Sequence, residues 1–345
     1  METRFSHKEW LSRYSLDVDL LDNYDFLVTD VIPLRKVFVL VTDRGNKILK
    51  KVHYEEEDIR FIKSGMEYMK NNGFNRIMNF IVNKNGHIIT KWKESTYVVM
   101  ELIEGRECEY NNPLDIAIAV NGLSDMHNAS KGISFSSKSK RYMPFKAIDN
   151  YRDKFEDLQR LKERAISYEN KNEFHDIFLR YVDGFLEDMK KSIDIMEKST
   201  YLEMCNYNEN FILCHGDLAY HNIIIEDNKS YFIDFDYSTV DLRVNDICNI
   251  INKVTKNSCY DFNILKLIID EYNKDVPLGR DEYEVLYGML SFPTEFYSIA
   301  KDYFYRKKLW KYETYLYKIK KKVQDIDERQ EMIENFKNLY VMATV

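Results

Sequence analysis

Short apolar runs rich in β-branched and aromatic residues dominate the first third of the chain. Two of them are separated by Thr42-Asp43-Arg44-Gly45-Asn46, a sequence typical of a β-hairpin. Lys84-Asn85-Gly86 predicts a second turn between two later runs. The predicted strands lie at 26–28, 37–41, 47–52, 77–82, 88–92 and 97–100. This region is therefore expected to form a mostly antiparallel sheet.

Helical patterns make up most of the remaining chain. Residues 55–71 carry apolar side chains at mostly helical spacing, with Gly73 as the expected C-cap. After residue 113 the helical pattern prevails, and a single island of strand character lies between residues 212 and 235. The predicted helical stretches are 114–126, 146–198 and 260–342. The fold class is therefore α+β.

The change of pattern predicts two lobes. We expect a small N-terminal lobe over residues 1–104 and a hinge near 100–105. A large, mainly helical C-terminal lobe is expected over 105–345, with the strand island and its polar loop at 213–236. The length of 345 residues suits two such domains at about 150 residues each.

Composition and charge exclude several classes of protein. Hydrophobic residues are 45% of the chain, enough to bury a core, so a disordered chain is excluded. The net charge of −7 argues against broad nucleic-acid binding. The five cysteines form no CxxC pair, which argues against a disulfide framework or a zinc site. The sequence shows no secretory signal and no apolar stretch of membrane-spanning length, so we expect a soluble cytoplasmic protein that does not bind membranes.

The strand island carries the candidate chemistry. Asp217 lies on a polar loop, and Asn222 lies five residues later, at the exit of this loop. Two predicted strands follow the loop, and Asp234 lies at the end of the second one. A hairpin between them would bring Asn222 and Asp234 side by side. An amide oxygen and a carboxylate suit Mg²⁺, which prefers oxygen ligands and completes its shell with phosphates and water. A separate carboxylate at Asp217 could orient a hydroxyl and accept its proton.

These motifs resemble a known superfamily. His-Gly-Asp-x-x-x-x-Asn followed by Ile-Asp-Phe-Asp is similar to the catalytic core of aminoglycoside phosphotransferases and choline kinases, small-molecule relatives of protein kinases. Within it the chain looks most like the spore coat CotS family. The supporting segments are 97–106, 233–237, 241–246 and Ser291-Phe292-Pro293. The resemblance covers roughly residues 25–320 and implies a bilobal protein-kinase-like fold that uses ATP and Mg²⁺.

The resemblance implies a role for each matched position of the strand island. Asp217 is the expected catalytic base, and His215 is expected to brace the catalytic loop. Asn222 and Asp234 are the expected ligands of Mg²⁺. Asp246 is expected to anchor the loop from the following helix.

The nucleotide is expected to contact the N-terminal lobe and the hinge. Lys50 matches the lysine that grips the α- and β-phosphates, with Lys51 as the alternative after a one-residue shift of register. Glu101 and Ile103 are expected to offer backbone hydrogen bonds to adenine, and Met100 to line the back of the pocket.

Two features depart from the family pattern. The expected phosphate-binding hairpin, residues 30–36, contains no glycine, and Pro33 removes a backbone donor, although Arg35 and Lys36 could compensate with charge. The sequence also leaves undecided which acidic residue pairs with Lys50, although Glu57 is preferred. The candidates are Glu55, Glu56, Glu57 and Asp58.

The resulting hypothesis is ATP- and Mg²⁺-dependent phosphorylation of a hydroxyl on a small molecule such as a sugar, an aminoglycoside-like compound or an amino alcohol. The alternative is a catalytically weak or inactive kinase-fold structural protein of the spore coat, with other coat proteins as partners. The acceptor and the choice between ATP and GTP stay open. An aromatic set near the C-terminus could form core or line an acceptor pocket: Phe292, Phe296, Tyr297, Tyr303, Phe304, Tyr305 and Trp310.

Overall fold

A computed structural model describes residues 16–53 and 55–342 of the chain. Its strands are β1 (Val28–Leu34), β2 (Val37–Thr42), β3 (Lys47–Val52), β4 (Phe80–Ile81), β5 (Ile89–Trp92), β6 (Ser95–Glu101), β7 (Arg106–Glu107), β8 (Phe211–Cys214), β9 (Ile223–Glu226), β10 (Lys229–Phe232) and β11 (Thr239–Leu242). Its α-helices are α1 (Val18–Leu21), α2 (Glu56–Asn71), α3 (Pro113–Ser130), α4 (Ala147–Ser167), α5 (Glu173–Lys198), α6 (Tyr201–Met204), α7 (Val244–Thr255), α8 (Phe262–Tyr272), α9 (Arg280–Ser291), α10 (Thr294–Phe304), α11 (Tyr312–Gln324) and α12 (Ile326–Phe336). None of the helices in these ranges combines the length and apolarity that a membrane span needs.

The chain divides into two compact units. The first runs to Glu107 and also includes His221–Asp236, and the second begins at Cys108 and resumes at Tyr237. This division differs from a single cut near residue 104, because the segment 221–236 belongs to the first unit. Its strand β9 pairs with β7, and the N–H of Phe232 donates to the carbonyl of Arg76 at 2.9 Å. These bonds join residues far apart in sequence, which local patterns do not reveal.

An antiparallel sheet forms the framework of the first unit. The strand order is β1-β2-β3-β6-β4, and β5 also pairs with β6. The hairpin between β2 and β3 is present as predicted, with Gly45 in the left-handed region at φ +77°. The register of β3 on β6 places Lys50 opposite Val98 and Lys51 opposite Tyr97. Because successive side chains of a strand point to opposite faces, these two lysines serve different faces of the sheet.

The helix predicted over 55–71 is α2. The side chain of Asp58 accepts the N–H of Glu55 at 3.1 Å, which fixes the first turn. Ile59, Ile62 and Met66 recur at i, i+3 and i+7 and are buried, so they form the apolar, buried face of the helix. The helix ends at Asn71 with Asn72 as its C-cap, and the predicted Gly73 is the next residue, in the left-handed region at φ +89°.

Helices form most of the second unit. The stretch predicted as helical over 146–198 is two helices, α4 and α5, which pack against each other. Asn172 caps α5 by accepting the N–H of His175 at 3.2 Å. The core between α4, α5, α10 and α11 is aromatic, and it contains most of the seven aromatic residues singled out from the sequence. Phe292, Phe296, Tyr297 and Phe304 are buried, Tyr303 is half-buried, and Tyr305 and Trp310 are exposed.

A two-stranded antiparallel ladder of β8 and β11 completes the second unit. Its register pairs Cys214 with Thr239 and Phe211 with Leu242. The sequence patterns predicted β8 but not β11. The ladder places the residues that follow β8 next to the start of α7, and these two segments carry the polar groups described next.

Candidate active site

Lys50 joins two aspartates of the first unit. Its Nζ lies 2.8 Å from Oδ1 of Asp234 and 2.7 Å from Oδ2 of Asp236. Burial lowers the pKa of Lys50, but the charges of Asp236 and Asp234 outweigh this and leave the pKa raised. Burial also raises the pKa of Asp236, against the opposing effect of Lys50. The ammonium group therefore holds together two carboxylates that would otherwise repel each other.

A tight hairpin places Asn222 beside Asp234. Asp227 and Asn228 form its turn, both with positive φ (+48° and +56°), which matches the twist of β9 and β10. At the open end the N–H of Ile233 donates to the carbonyl of Asn222 at 3.0 Å. Asn222 is buried, and Asp234 has φ +66°, a backbone conformation that is uncommon outside glycine. Such strained positions recur at functional sites.

This donor set fits a hard divalent cation. Asn222 and Asp234 offer an amide oxygen and a carboxylate, both of the ligand type that Mg²⁺ prefers. Within the described ranges, no group of three or more His, Cys, Asp and Glu side chains is arranged to hold a metal. An ion at Asn222 and Asp234 would therefore need further oxygens, such as those of phosphate groups.

The glycine-free hairpin of the first unit turns at Arg35 and Lys36. Arg35 has φ +53°, and its guanidinium forms two bonds to the carboxylate of Glu107, at 2.8 and 2.9 Å. Pro33 lies within β1, opposite Phe38. Arg35 therefore forms a bidentate ion pair, and Lys36 is a second exposed cation at this turn.

The segment predicted as a hinge leaves β6 at Glu101. Met100 is buried and pairs with Ile48 of β3. The N–H of Glu101 donates to the carbonyl of Asn79 at 2.9 Å. Ile103 follows the end of the strand and is half-buried. The structure therefore places Met100 in the sheet and Ile103 in the irregular segment after it.

The partners of Lys50 are Asp234 and Asp236 instead of the predicted Glu57. Glu57 lies in the first turn of α2 with an exposed side chain. The phase of the helix explains the difference, because its buried face begins at Asp58 and Ile59. The structure favours Lys50 over Lys51, since Lys51 is exposed.

In the second unit, Asp246 anchors the loop that carries Asp217. Its carboxylate accepts the N–H groups of His215 at 2.6 Å and Gly216 at 2.9 Å, and it lies 3.2 Å from Nε2 of His127. Burial raises the pKa of Asp246, but these hydrogen bonds and the nearby histidines outweigh it, so the pKa is lowered. His215 is buried, and its Nδ1 accepts the N–H of Asp217 at 3.3 Å. The predicted bracing and anchoring groups therefore meet on one loop.

Three further residues hold this loop, and none of them belongs to the motifs recognised in the sequence. Asn249 accepts the N–H of Leu218 at 3.0 Å and donates to the carbonyl of Gly216 at 3.3 Å. Lys253 lies 2.5 Å from Oδ1 of Asp217. Tyr110 donates to the carbonyl of Leu218 at 2.7 Å.

The sequence contains a pattern that could have identified Asn249 and Lys253, which both lie on α7. Asp246, Asn249 and Lys253 follow each other at i, i+3 and i+7, so they form a polar stripe on a helix whose opposite face is buried. No comparable pattern marks Tyr110.

A cavity of about 340 Å³ lies in the second unit beside the same helix. Asn249 and Lys253 of α7 line it, together with Phe292 and Glu295. Its volume is in the range of small-molecule sites. Because Lys253 contacts both the cavity and Asp217, a ligand there would lie next to the group that binds this carboxylate.

The fold and these residues define the class of the protein as a kinase-like α+β protein. A solved aminoglycoside phosphotransferase from Alicyclobacillus acidocaldarius subsp. acidocaldarius DSM 446 superposes with a TM-score of 0.82 at 15% identity, over 94% of this chain and 96% of the other. An amicoumacin kinase in complex with AMP-PNP, Ca²⁺ and Ami superposes with a TM-score of 0.61 at 14% identity, over 96% and 94%. The predicted fold class is confirmed by this likeness.

The chain belongs to the family described as "Spore coat putative kinase YutH", whose sequence profile matches residues 18–336. Among curated proteins, Spore coat protein S of Bacillus subtilis (strain 168) is 24% identical over 310 residues, covering 89% of this chain and 88% of that protein. The resemblance to spore coat kinase-like proteins seen in the sequence motifs is thereby confirmed.

Proposed function

We propose that the protein is an ATP- and Mg²⁺-dependent phosphotransferase that acts on a hydroxyl group of a small molecule. The observation that carries the proposal is the cluster in which Lys50 bridges Asp234 and Asp236 beside the buried Asn222. A lysine, a carboxylate and an amide in this arrangement are the groups that phosphoryl transfer needs for a metal-bound triphosphate. The amicoumacin kinase of the same fold was solved with a nucleotide analogue and a divalent cation, which supports the proposal.

The first unit supplies the groups for the nucleotide. The ammonium of Lys50, which contacts the two aspartates, would turn to the α- and β-phosphates when the nucleotide binds. Asn222 and Asp234 would bind Mg²⁺. The bound metal neutralises charge on the phosphates. Glu101 and Ile103 would present backbone groups to adenine, with Met100 behind them.

The second unit supplies the groups for the acceptor. Asp217 would orient the acceptor hydroxyl and take its proton. The hydroxyl oxygen then forms a bond to the γ-phosphorus, the bond from that phosphorus to the β–γ bridging oxygen breaks, and ADP leaves with the electron pair. His215, Asn249 and Asp246 would keep the loop in place, so that Asp217 needs little reorganisation during the reaction.

We also infer that the protein acts at the spore coat. The supporting observations are its family and its similarity to Spore coat protein S. A fluorescent fusion expressed during sporulation tests this, with localisation to the coat as the expected result and a diffuse signal throughout sporulation as the contrary one.

A second candidate function is a structural coat protein without turnover. The hairpin at Arg35 favours it, because this turn has no glycine to let phosphates approach the backbone and Arg35 is paired with Glu107. Saturable Mg·ATP binding with acceptor-dependent ADP release would exclude this candidate.

The decisive experiment compares the wild type with Asp217→Asn. We expect the variant to lose acceptor-dependent ADP formation by at least about 100-fold, because a positioned general base contributes 10²–10⁴-fold. ATP affinity should stay within about twofold, since the proposed nucleotide groups lie in the first unit. Near-normal turnover in Asp217→Asn would show that another group serves as the base.

A further inference from the structure

The 340 Å³ cavity of the second unit is lined by an excess of positive charge. Lys154, Lys253, Lys322 and Arg329 contribute to its walls, and Glu295 is the carboxylate among its lining residues in the described part of the chain. The chain as a whole carries a net charge of −7. A cationic cavity in an acidic protein is therefore a local feature and does not follow from overall composition.

The carboxylate of the cavity is already compensated. Glu295 forms an ion pair with Lys322 and lies 3.5 Å from Nζ of Lys256. The hydroxyl of Tyr260 also donates to it at 3.4 Å. Burial raises the pKa of Glu295, but the charges of Lys322 and Lys256 outweigh this and lower the pKa. Glu295 therefore has little charge left to attract a cationic ligand.

Two cations of the cavity have no carboxylate oxygen within 4.0 Å in the part of the chain that the structure describes. The ammonium of Lys154 lies over the rings of Tyr151 and Phe292, at 5.5 and 5.7 Å from their centroids. Arg329 donates to the carbonyls of Leu290 and Phe292, at 2.6 and 3.2 Å. Burial lowers the pKa of both groups, and the neighbouring Lys301 lowers the pKa of Lys154 further. Both would gain from a bound anion.

A hydrogen-bond donor in the cavity wall points to the same ligand chemistry. The Nδ2 atom of Asn245 is buried and has no hydrogen-bond partner within the part of the chain that the structure describes. Buried donors of this kind cost free energy unless an acceptor reaches them. Asn245 precedes Asp246 on α7, so this donor lies on the helix that also holds the Asp217 loop.

We propose that this cavity binds the acceptor through a negatively charged group, so that the substrate is a small hydroxyl compound carrying a carboxylate or a phosphate. Lys154, Arg329 and Asn245 bind the anion, and stacked rings such as Tyr151 and Phe292, with centroids 4.0 Å apart, form an apolar wall for the carbon skeleton. Lys253 bridges the cavity to Asp217, 2.5 Å away. The inference rests on the proposed function, and it makes a cationic aminoglycoside or amino alcohol a poor acceptor.

The test separates acceptor binding from phosphoryl transfer. Four probes are titrated at constant ionic strength without nucleotide: glycerol 3-phosphate and glycerate as anions, glycerol as the neutral compound and choline as the cation. Calorimetry gives their affinities, and ADP formation with Mg·ATP is measured separately with the same probes. We expect an anionic probe to bind and to be the better acceptor.

Variants assign the binding to the cavity. Lys154→Gln should weaken binding of the anion about tenfold, the usual scale for a charge-assisted contact, whereas Lys154→Arg should retain most of it. The matched control is Lys162→Gln on the same helix, whose ammonium faces Asp183 at 2.5 Å and does not line the cavity.

The proposal is overturned if neither anion binds at millimolar concentration, if choline or glycerol binds as tightly, or if Lys154→Gln leaves the anion affinity unchanged. Failure of the proposed function has a different signature. In that case the anion binds and depends on Lys154, but Mg·ATP neither binds nor yields ADP.

Discussion

Lys50 shows how a single position can be assigned from its register. The sequence left Lys50 and Lys51 open, because a shift of one residue exchanges their faces. The pairing of β3 with β6 removes that ambiguity, since Lys50 reaches Asp234 and Asp236 whereas Lys51 is exposed. The partner acid could not be derived in the same way, because Asp236 lies far away in sequence and becomes a neighbour only through the fold.

The two lysines give a matched pair of variants. Lys50→Met should weaken Mg·ATP binding at least about tenfold, because a charge-assisted contact to the phosphates is lost. Lys51→Met should change it by less than about twofold. Isothermal titration calorimetry of both variants against the wild type measures this. Equal losses in the two variants would contradict the assignment of Lys50.

Asp241 is a buried acid whose ionisation should destabilise the folded protein. It lies in β11 with its Oδ1 accepting the N–H of Leu242 at 2.8 Å, and burial raises its pKa to about 7. The folded state therefore keeps this proton at pH values where the unfolded state, with an ordinary pKa of 3.8, has lost it. Stability should fall as the pH rises from about 4 to about 7 and stay lower above that.

Asp241→Asn removes this dependence while keeping an oxygen acceptor for Leu242. We expect the variant to be more stable than the wild type at pH 8 by roughly 2–4 kcal/mol, and the difference to shrink towards pH 4. Denaturant unfolding across this pH range measures it, with Asp275→Asn at an exposed position as the control. A stability difference that does not vary with pH would show that Asp241 is ionised in the folded protein.

At the scale of elements, the loop after β8 is held by hydrogen bonds to side chains of helix α7. Gly216 lies in this loop with φ +79°, and a Cβ there would come within 2.3 Å of the carbonyl oxygen of Tyr237. Gly132 has nearly the same backbone conformation, φ +76°, but a Cβ there would have nothing within 4 Å. Alanine at Gly132 would therefore cost only the free energy of the left-handed backbone conformation, whereas alanine at Gly216 would also create a steric clash.

Alanine substitutions at these glycines make a direct comparison. Gly132→Ala should cost about 1 kcal/mol from the left-handed backbone alone. Gly216→Ala should cost at least about 2 kcal/mol more, and it should lower turnover because the loop carrying Asp217 has to move. Denaturant unfolding and ADP release measure the two effects. Equal losses of stability would mean that the loop has room to relax.

Elements with a strong local signal were predictable, and others were not. The hairpin at Gly45 and the helix before Gly73 have turn residues and periodic apolar positions that act within a few neighbours. Strand β11 was missed because its residues, Thr-Val-Asp-Leu, include an aspartate that is buried only after β11 pairs with β8. The β9–β10 hairpin was predictable as a hairpin, and its turn lies at Asp227 and Asn228, which both have positive φ.

At the scale of the whole molecule, the sequence indicated two units but not their membership. The β9–β10 hairpin belongs to the first unit, although it lies in the middle of the helical region, because it pairs with β7. The residues proposed as metal ligands and base were identified from their spacing in one motif. The cationic cavity was not, because Lys154, Lys322 and Arg329 come from three separate helices whose packing brings them together.

The proposed function requires that Asn222 and Asp234 hold a magnesium-bound triphosphate. Binding of ATP, with and without Mg²⁺, to the wild type and to Asp234→Ala tests this requirement. We expect saturable binding that requires Mg²⁺, with the unfolding free energy of the wild type raised by about 2.7 kcal/mol at 100 times Kd, and a marked loss of affinity in the variant. Absence of ATP binding at millimolar concentration, or equal binding without Mg²⁺ and in Asp234→Ala, would contradict it.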